Sequence, residues 1–531
     1  MSDAAERQPL LAPTTSQSLL VPTLPPQNPN QVSGAKLYWI LAAVWTAVFL
    51  GALDGTIVAT LQQPIGDYFQ QSHIASYLGT SYLLSICCFT PLYGRLSDIL
   101  GRKGAMLLAL TLFTTGTLLS GIAPSMKALI AAQAIAGMGG GGVMTVSSIV
   151  VTDLIPLRNR GLMQGAANVL FGAGAGLGGP LGGYISDNFG WRSAFLVQVP
   201  FLVVSAILVT IHVNIVLPKA PLTLIQKFKK IDWLGSLTLV LFVSSLLAGF
   251  SLKATEDLAW GDVRVWGPLS FSGLALSSFI FVEAKISPEP VMPMRLLLSR
   301  TPLAASLTYF FGSVVSFSTL YNVPLYFMAV RLQTASQAGL HLVPNSIALS
   351  IGSVGAGWIM RKTGKYWLLT VASTCLSLFG SILIAFWDRK RTSEGEFWFD
   401  ITFNGLGFAS MLTSTLIGII ACVAREDMAV ATGITYLFRT TGQVLGVSLS
   451  GTIFQAVLVA KLREMMPGPN SEETIKAIRH DAGLVRSLEG AQREAAVSSF
   501  AQALKVVFIC QASLAVLTVV CALPIEERPL P

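Results

Sequence analysis

Residues 94–103 read GRLSDILGRK, with a glycine near each end of a helical turn and one carboxylate, Asp98, among three cations, Arg95, Arg102 and Lys103. Apolar runs of membrane length flank the segment on both sides. A shorter counterpart, GWIMRKTGK, begins at Gly357, 263 positions further on, and is bracketed in the same way. A second pair repeats the shift. NVLFGAGAGLGGPLGG from Asn168 matches TYLFRTTGQVLGVSLSG from Thr435, Phe171 falling on Phe438 at an offset of 267. Two independent matches at nearly one shift indicate an internal duplication, which constrains the architecture before any single helix is placed.

The composition around these segments is that of a membrane protein. Of 531 residues, 53% are hydrophobic and 12% charged, against roughly 25% charged in a soluble domain. Too few polar residues remain to cover the surfaces of several soluble domains, so a soluble multidomain enzyme is excluded. A helix needs about 20 mostly apolar residues to cross the hydrocarbon core with its backbone bonds satisfied internally. Fourteen runs qualify, at about 38–61, 74–93, 104–123, 128–151, 161–186, 194–217, 233–252, 265–285, 302–328, 335–360, 366–387, 398–423, 429–459 and 503–523. Adding the repeat shift to the first run predicts a second half starting near 302, where the ninth run starts. The expected fold is an all-α integral membrane protein of 14 transmembrane helices, as two six-helix pseudo-repeat halves with two inserted helices. The predicted segments are a disordered tail (1–36), the first half (37–217), a linker with the inserted pair (218–300), the second half (301–525) with a polar outer loop of helical pattern (460–502), and a short C-terminal tail (526–531). Repeated halves of this kind are typical of secondary transporters, with the binding site between them near the midplane.

The excess of 35 Lys and Arg over 27 Asp and Glu then speaks to orientation and not to nucleic acid. Short loops on one side carry Arg95, Arg102, Lys103, Arg158, Arg160, Lys219, Lys227, Lys229, Lys230, Arg295, Arg300, Arg361, Lys362 and Lys365. The positive-inside rule makes that side cytoplasmic, and an even helix count puts both termini there. Arg389, Lys390 and Arg391 run against the rule, diluted by Glu394 and Glu396. Six cysteines lie in apolar runs without metal-ligand spacing, and the four histidines stand apart from any Cys or carboxylate cluster. No enzyme activity, metal or cofactor is expected.

Two charges stand inside predicted spans. Asp54, in LGALDGTIVATLQQPI, costs about 2.5 to 3.5 kcal/mol on insertion scales, so it is expected to face a cavity and carry a proton or a cation; a helix cap or structural pair is the plainer alternative. Arg439 falls on the Gly172 position of the repeat and either balances a cavity carboxylate or snorkels to an interface. The run AGLGGPLGG, with Gly179, Pro180, Gly182 and Gly183, allows close helix approach and a bend, and packing alone would explain it.

GRLSDILGRK resembles the signature loop of the major facilitator superfamily. The resemblance implies a cytoplasmic gate of Gly94, Arg95, Asp98, Gly101, Arg102 and Lys103, with Asp153 as a partner for Arg102 or Arg95. AGLGGPLGG is similar to the family's antiporter motif, and the Asp54 run to the first-helix aspartate motif of its 14-helix drug/proton antiporters and of fungal vacuolar basic amino acid permeases. AIAGMGGGG and DLIPLRNRG look most like the latter. In this fold the polar cavity residues would include Gln62, Gln63, Gln133, Tyr321, Asn322, Asp400, Asn404 and Arg439. Relatives usually carry Arg where this chain has Gln133; that loss moves proton coupling towards Asp54 and eases entry of cations.

The N-terminal ERQPLL places Glu6 ahead of Leu10 and Leu11 in the spacing of an acidic dileucine signal, an address read by a sorting adaptor. What the resemblance implies is a transporter of lysine, arginine or histidine from the cytosol into the vacuole in exchange for protons, by alternating access across the lipid bilayer. A plasma-membrane multidrug/proton exporter is the alternative within the fold, and a non-transporting nutrient sensor the alternative outside it.

Overall fold

The computed structural model describes residues 34–155, 157–215, 232–256, 261–287, 294–389, 391–423, 428–466, 471–480, 484–485 and 488–528. Glu6, Leu10, Leu11, Lys219, Lys227, Lys229 and Lys230, on which the sorting and part of the orientation reading rest, lie outside them.

The described residues are helical and include no strand. The first six-helix set comprises α1 (Ala35–Tyr68), α2 (Ser76–Ile99), α3 (Gly101–Ile122), α4 (Met126–Leu154), α5 (Leu157–Phe189) and a broken sixth helix, α6 (Trp191–Leu196) and α7 (Gln198–His212). The inserted pair is α8 (Trp233–Glu256) and α9 (Val263–Phe281). After the short α10 (Met294–Leu297) come α11 (Arg300–Ala329), α12 (Ala335–Leu340) continued by α13 (Val343–Thr363), α14 (Trp367–Ala385), α15 (Glu394–Cys422), α16 (Met428–Met465), the short α17 (Ser471–His480) and α18 (Gly490–Ala522). Each of the fourteen predicted runs falls on a helix or on a broken helix pair (α6/α7 and α12/α13), and among the described residues twelve are apolar enough to count as spans on composition. Absent from those twelve are α2, which is rich in Ser, Thr and Tyr and carries Arg95 and Asp98, and α5, which is rich in glycine. The expected number of fourteen crossings therefore depends on these two helices crossing despite their composition.

Local sequence explains where the helices stop. Between α2 and α3 the chain turns at Gly101, whose φ of 78° favours glycine. Thr334 and Ser393 begin α12 and α15 with reciprocal capping boxes, to Gln337 and Glu396. The expected outer loop at 460–502 is shorter than its composition suggests: α16 runs to Met465, α17 occupies part of it, and α18 begins thirteen residues ahead of the predicted span. Polar residues there do not interrupt the helix, because helix formation follows propensity and packing and not apolarity alone, and residues 491–496, AQREAA, are strong helix formers.

The packing repeats. In the first set, α1 lies along α5, and α4 lies along both α2 and α3; in the second, α11 lies along α16, and α15 lies along both α13 and α14. The sets meet in two equivalent seams, α5 on α12 and α13, and α2 on α16. The end that carries residues 94–103 and 361–365 is here the basic end, and the opposite one the outer end.

Candidate functional site

Asp54 is fully buried about 4 Å past the middle of α1, towards the outer end. Its Oδ1 accepts a 3.2 Å hydrogen bond from Nε2 of Gln198 on α7, and the same amide donates to the Ala194 carbonyl at 3.1 Å, which holds it in place. Oδ2 has no hydrogen-bond partner among the described residues. Tyr82 of α2 and Tyr321 of α11 stand within electrostatic reach, so residues of both helix sets surround the carboxylate. Tyr82 directs its hydroxyl to the Gly51 carbonyl at 3.4 Å, and Tyr321 lies against Gly79 of α2. One oxygen is thus fixed by an amide donor, while the other is buried without one. Gln198 was not among the residues expected from sequence. Its signal was there: it is the one amide in the apolar stretch Trp191–His212.

The other expected cavity residues separate into two groups. Gln62, Gln63 and Asn322 line one small cavity towards the outer end, between α1 and α11. The Asn322 amide donates to Ser318 O at 2.8 Å and to Ser450 Oγ at 2.9 Å. Gln133 donates to Ser120 of α3 at 3.2 Å, between two helices of the first set. Within the second set, Asp400 accepts from Trp387 Nε1 at 2.8 Å, and Asn404 donates to Ser381 at 3.1 Å. Arg439 lies over the Tyr436 ring at 5.8 Å, and its buried Nε has no hydrogen-bond partner among the described residues.

At the basic end, Arg102 donates through Nε to Asp153 Oδ2 at 2.8 Å and through Nη1 to Ser97 Oγ at 2.9 Å. Ser97 in turn donates to the Gly94 carbonyl at 2.8 Å, so the loop is tied to the end of α4. Lys103 reaches Asn214 at 3.4 Å. The side chains of Arg95 and Asp98 lie outside the description.

The glycine run of α5 forms the seam at the outer end. A Cβ on Gly183 would stand 2.5 Å from the backbone of Ser336, and one on Gly339 would stand 2.5 Å from the backbone of Gly179. The seam continues with Ser336 N donating to Asp187 Oδ2 at 3.2 Å. Gly182 faces Ile57 on α1, and Pro180 sits inside α5. Nearer the basic end the two sets are bridged by Asn168 to Ser353 at 2.8 Å and by Cys87 to Thr441 at 3.2 Å. The seams thus bring the two sets together at the level of Asp54 and on both sides of it.

The model of the Major Facilitator Superfamily matches residues 44–447. Multidrug resistance protein fnx1 of Schizosaccharomyces pombe is 38% identical over 517 residues, covering 97% of each chain. The vacuolar membrane amino acid uptake transporter fnx2 of the same organism is 35% identical, over 94% of this chain and 86% of its own length. Vacuolar basic amino acid transporter 1 of Saccharomyces cerevisiae is 31% identical, over 80% of this chain and 79% of its own. Among solved structures, a bacterial homolog of the human lysosomal transporter Spinster, in an inward-facing and occupied conformation, superposes with a TM-score of 0.59 at 14% identity, over 92% of this chain and 97% of that one. That likeness is one of fold.

Proposed function

The chain belongs to the major facilitator superfamily and is a multi-pass membrane transporter, not an enzyme; from that premise we propose that it moves basic amino acids from the cytosol into the vacuole in exchange for protons. The observation that carries the reading is Asp54, buried between the two helix sets with one oxygen held by Gln198 and the other unengaged. In a low-dielectric interior a carboxylate is stable when protonated or when paired with a cation, and not when bare. A cationic side chain and a proton would therefore compete for one group, and that competition couples their fluxes. Cargo loads from the basic, cytoplasmic end. The sets then rock about the α5–α12/α13 and α2–α16 seams, the outer end opens to the acidic lumen, and a proton displaces the cation. Gln133, neutral and engaged with Ser120, adds no positive charge to oppose a lysine or arginine cargo. The names of fnx2 and of vacuolar basic amino acid transporter 1 support the choice of substrate and compartment.

The experiment is uptake of labelled lysine, arginine and histidine into vacuolar vesicles with and without a proton gradient. Uptake that needs an acid interior supports the reading; gradient-independent uptake, or none, contradicts it. A second reading, a multidrug/proton exporter at the plasma membrane, is favoured by the name of fnx1, the relative with 97% coverage. A tagged protein at the cell surface, insensitive to replacement of Leu10 and Leu11 by Ala, together with drug efflux and no amino acid uptake, would select it.

A further inference from the structure

We propose that the outer cavity is a second binding site, for the headgroup of an α-amino acid, occupied as cargo passes between Asp54 and the outer face. The inference rests on the amino-acid reading above and names a site that reading does not use. The cavity lies between the two helix sets and is lined by Gln62, Gln63, Ser72, Asn322, Gln455 and Arg479. Gln63 is 7% exposed. The Oε1 atoms of Gln62, Gln63 and Gln455 are buried with no hydrogen-bond partner among the described residues. Buried acceptors left unmade are costly, and three at one cavity call for a ligand rich in donors. An ammonium offers three N–H groups, and Arg479 presents a guanidinium of the geometry that takes a carboxylate through paired bonds. Ammonium and carboxylate on one carbon are the constant part of every α-amino acid.

This site is not the one at Asp54. Gln62 and Gln63 follow Asp54 by eight and nine residues on α1, about 12 to 14 Å along the axis. The carboxylate and side-chain ammonium of lysine are separated by about 7 Å. The rise along α1 exceeds the length of lysine, so the two sites act as successive stations for the cargo. Arg479 comes from α17, whose Ile475 and Ile478 are buried and whose Glu472 is held by Arg463 at 2.9 Å. This short helix belongs to the second set and reaches the Ser72–Ile74 turn of the first. It covers the cavity, so the headgroup site is rebuilt each time the outer ends close.

The test is exchange of labelled lysine in vacuolar vesicles, with unlabelled lysine or cadaverine, its decarboxylated analogue, varied on the luminal side. With the unmodified protein, luminal lysine should half-saturate exchange at a lower concentration than cadaverine. In Arg479→Gln, the luminal half-saturation for lysine should rise about tenfold, the scale of one lost charge-assisted hydrogen bond. The preference over cadaverine should disappear, and the luminal rise should exceed any cytosolic one. Arg479→Lys, which keeps the charge, should restore much of the preference and shows that loss of fold is not the cause. A luminal half-saturation and preference unchanged in Arg479→Gln, or an equal rise on both sides, would overturn the site while leaving the transport reading intact. No exchange of lysine, arginine or histidine by the unmodified protein would overturn both.

Discussion

Replacing Gly183 by Ala should open the outer end. The added Cβ would stand 2.5 Å from both N and Cα of Ser336 and 2.7 Å from the carbonyl carbon of Ala335. All three are backbone atoms in the first turn of α12, so no rotamer change relieves the clash. Carbon contacts settle at about 3.5 to 4.0 Å, and the two backbones must part by about 1 Å. Overpacking of this kind costs about 1 to 3 kcal/mol. The cost falls only on the conformation in which α5 and α12 touch, so the equilibrium should shift about 5- to 150-fold towards the outer-open one. A single cysteine placed at Gln455, in a background without the six native cysteines, reports the shift by its rate of labelling with a membrane-impermeant maleimide from the outer face. Gly183→Ala should raise that rate at least about fivefold. Gly273→Ala, on α9 with no atom within 4 Å of the added methyl, should leave it unchanged. A folded Gly183→Ala protein that labels at the unmodified rate would refute the reasoning.

Other perturbations test the remaining contacts. Gln198→Leu removes the described donor to Asp54 and should lower lysine uptake about tenfold, measured as initial rate per folded protein in vesicles. Arg102 and Asp153, 11% and 28% exposed in their side chains, should show a coupling of about 1 to 2 kcal/mol in a double-mutant cycle of thermal unfolding with Arg102→Gln and Asp153→Asn. Near the C-terminus, Glu527 accepts from the backbone N–H groups of Tyr366 and Trp367 at 2.9 and 3.0 Å, capping α14. Glu527→Gln should therefore lower unfolding stability by about 0.5 to 1 kcal/mol, read in the same assay.

Much of this architecture was legible because membrane helices announce themselves by length and apolarity, and because the duplication offers a second reading of each half. The repeat offset placed the second half near 302, and α11 begins at Arg300. Asp54 stood out because a carboxylate in hydrocarbon is costly wherever it occurs. Lateral pairing was less legible. Which face of a helix a polar residue occupies depends on its neighbours in space, so Gln133 went to Ser120, Asp400 to Trp387 and Asn404 to Ser381, each within its own helix set. The role of Gln198 is hidden in the sequence for the same reason: its partner lies 144 positions away. Beyond the hydrocarbon the apolar signal fades, which is why α17 and the first turns of α18 read as loop although they form the roof of the outer cavity.

The central claim is that Asp54 couples cargo to protons. Uptake of labelled lysine into acid-interior vesicles, compared between the unmodified protein and Asp54→Asn, tests it most directly. The substitution preserves size and the contact with Gln198 while removing the exchangeable charge. The account predicts accumulation by the unmodified protein that collapses when an ionophore dissipates the gradient, and no gradient-dependent accumulation by Asp54→Asn. Equal, gradient-dependent accumulation by both would contradict it.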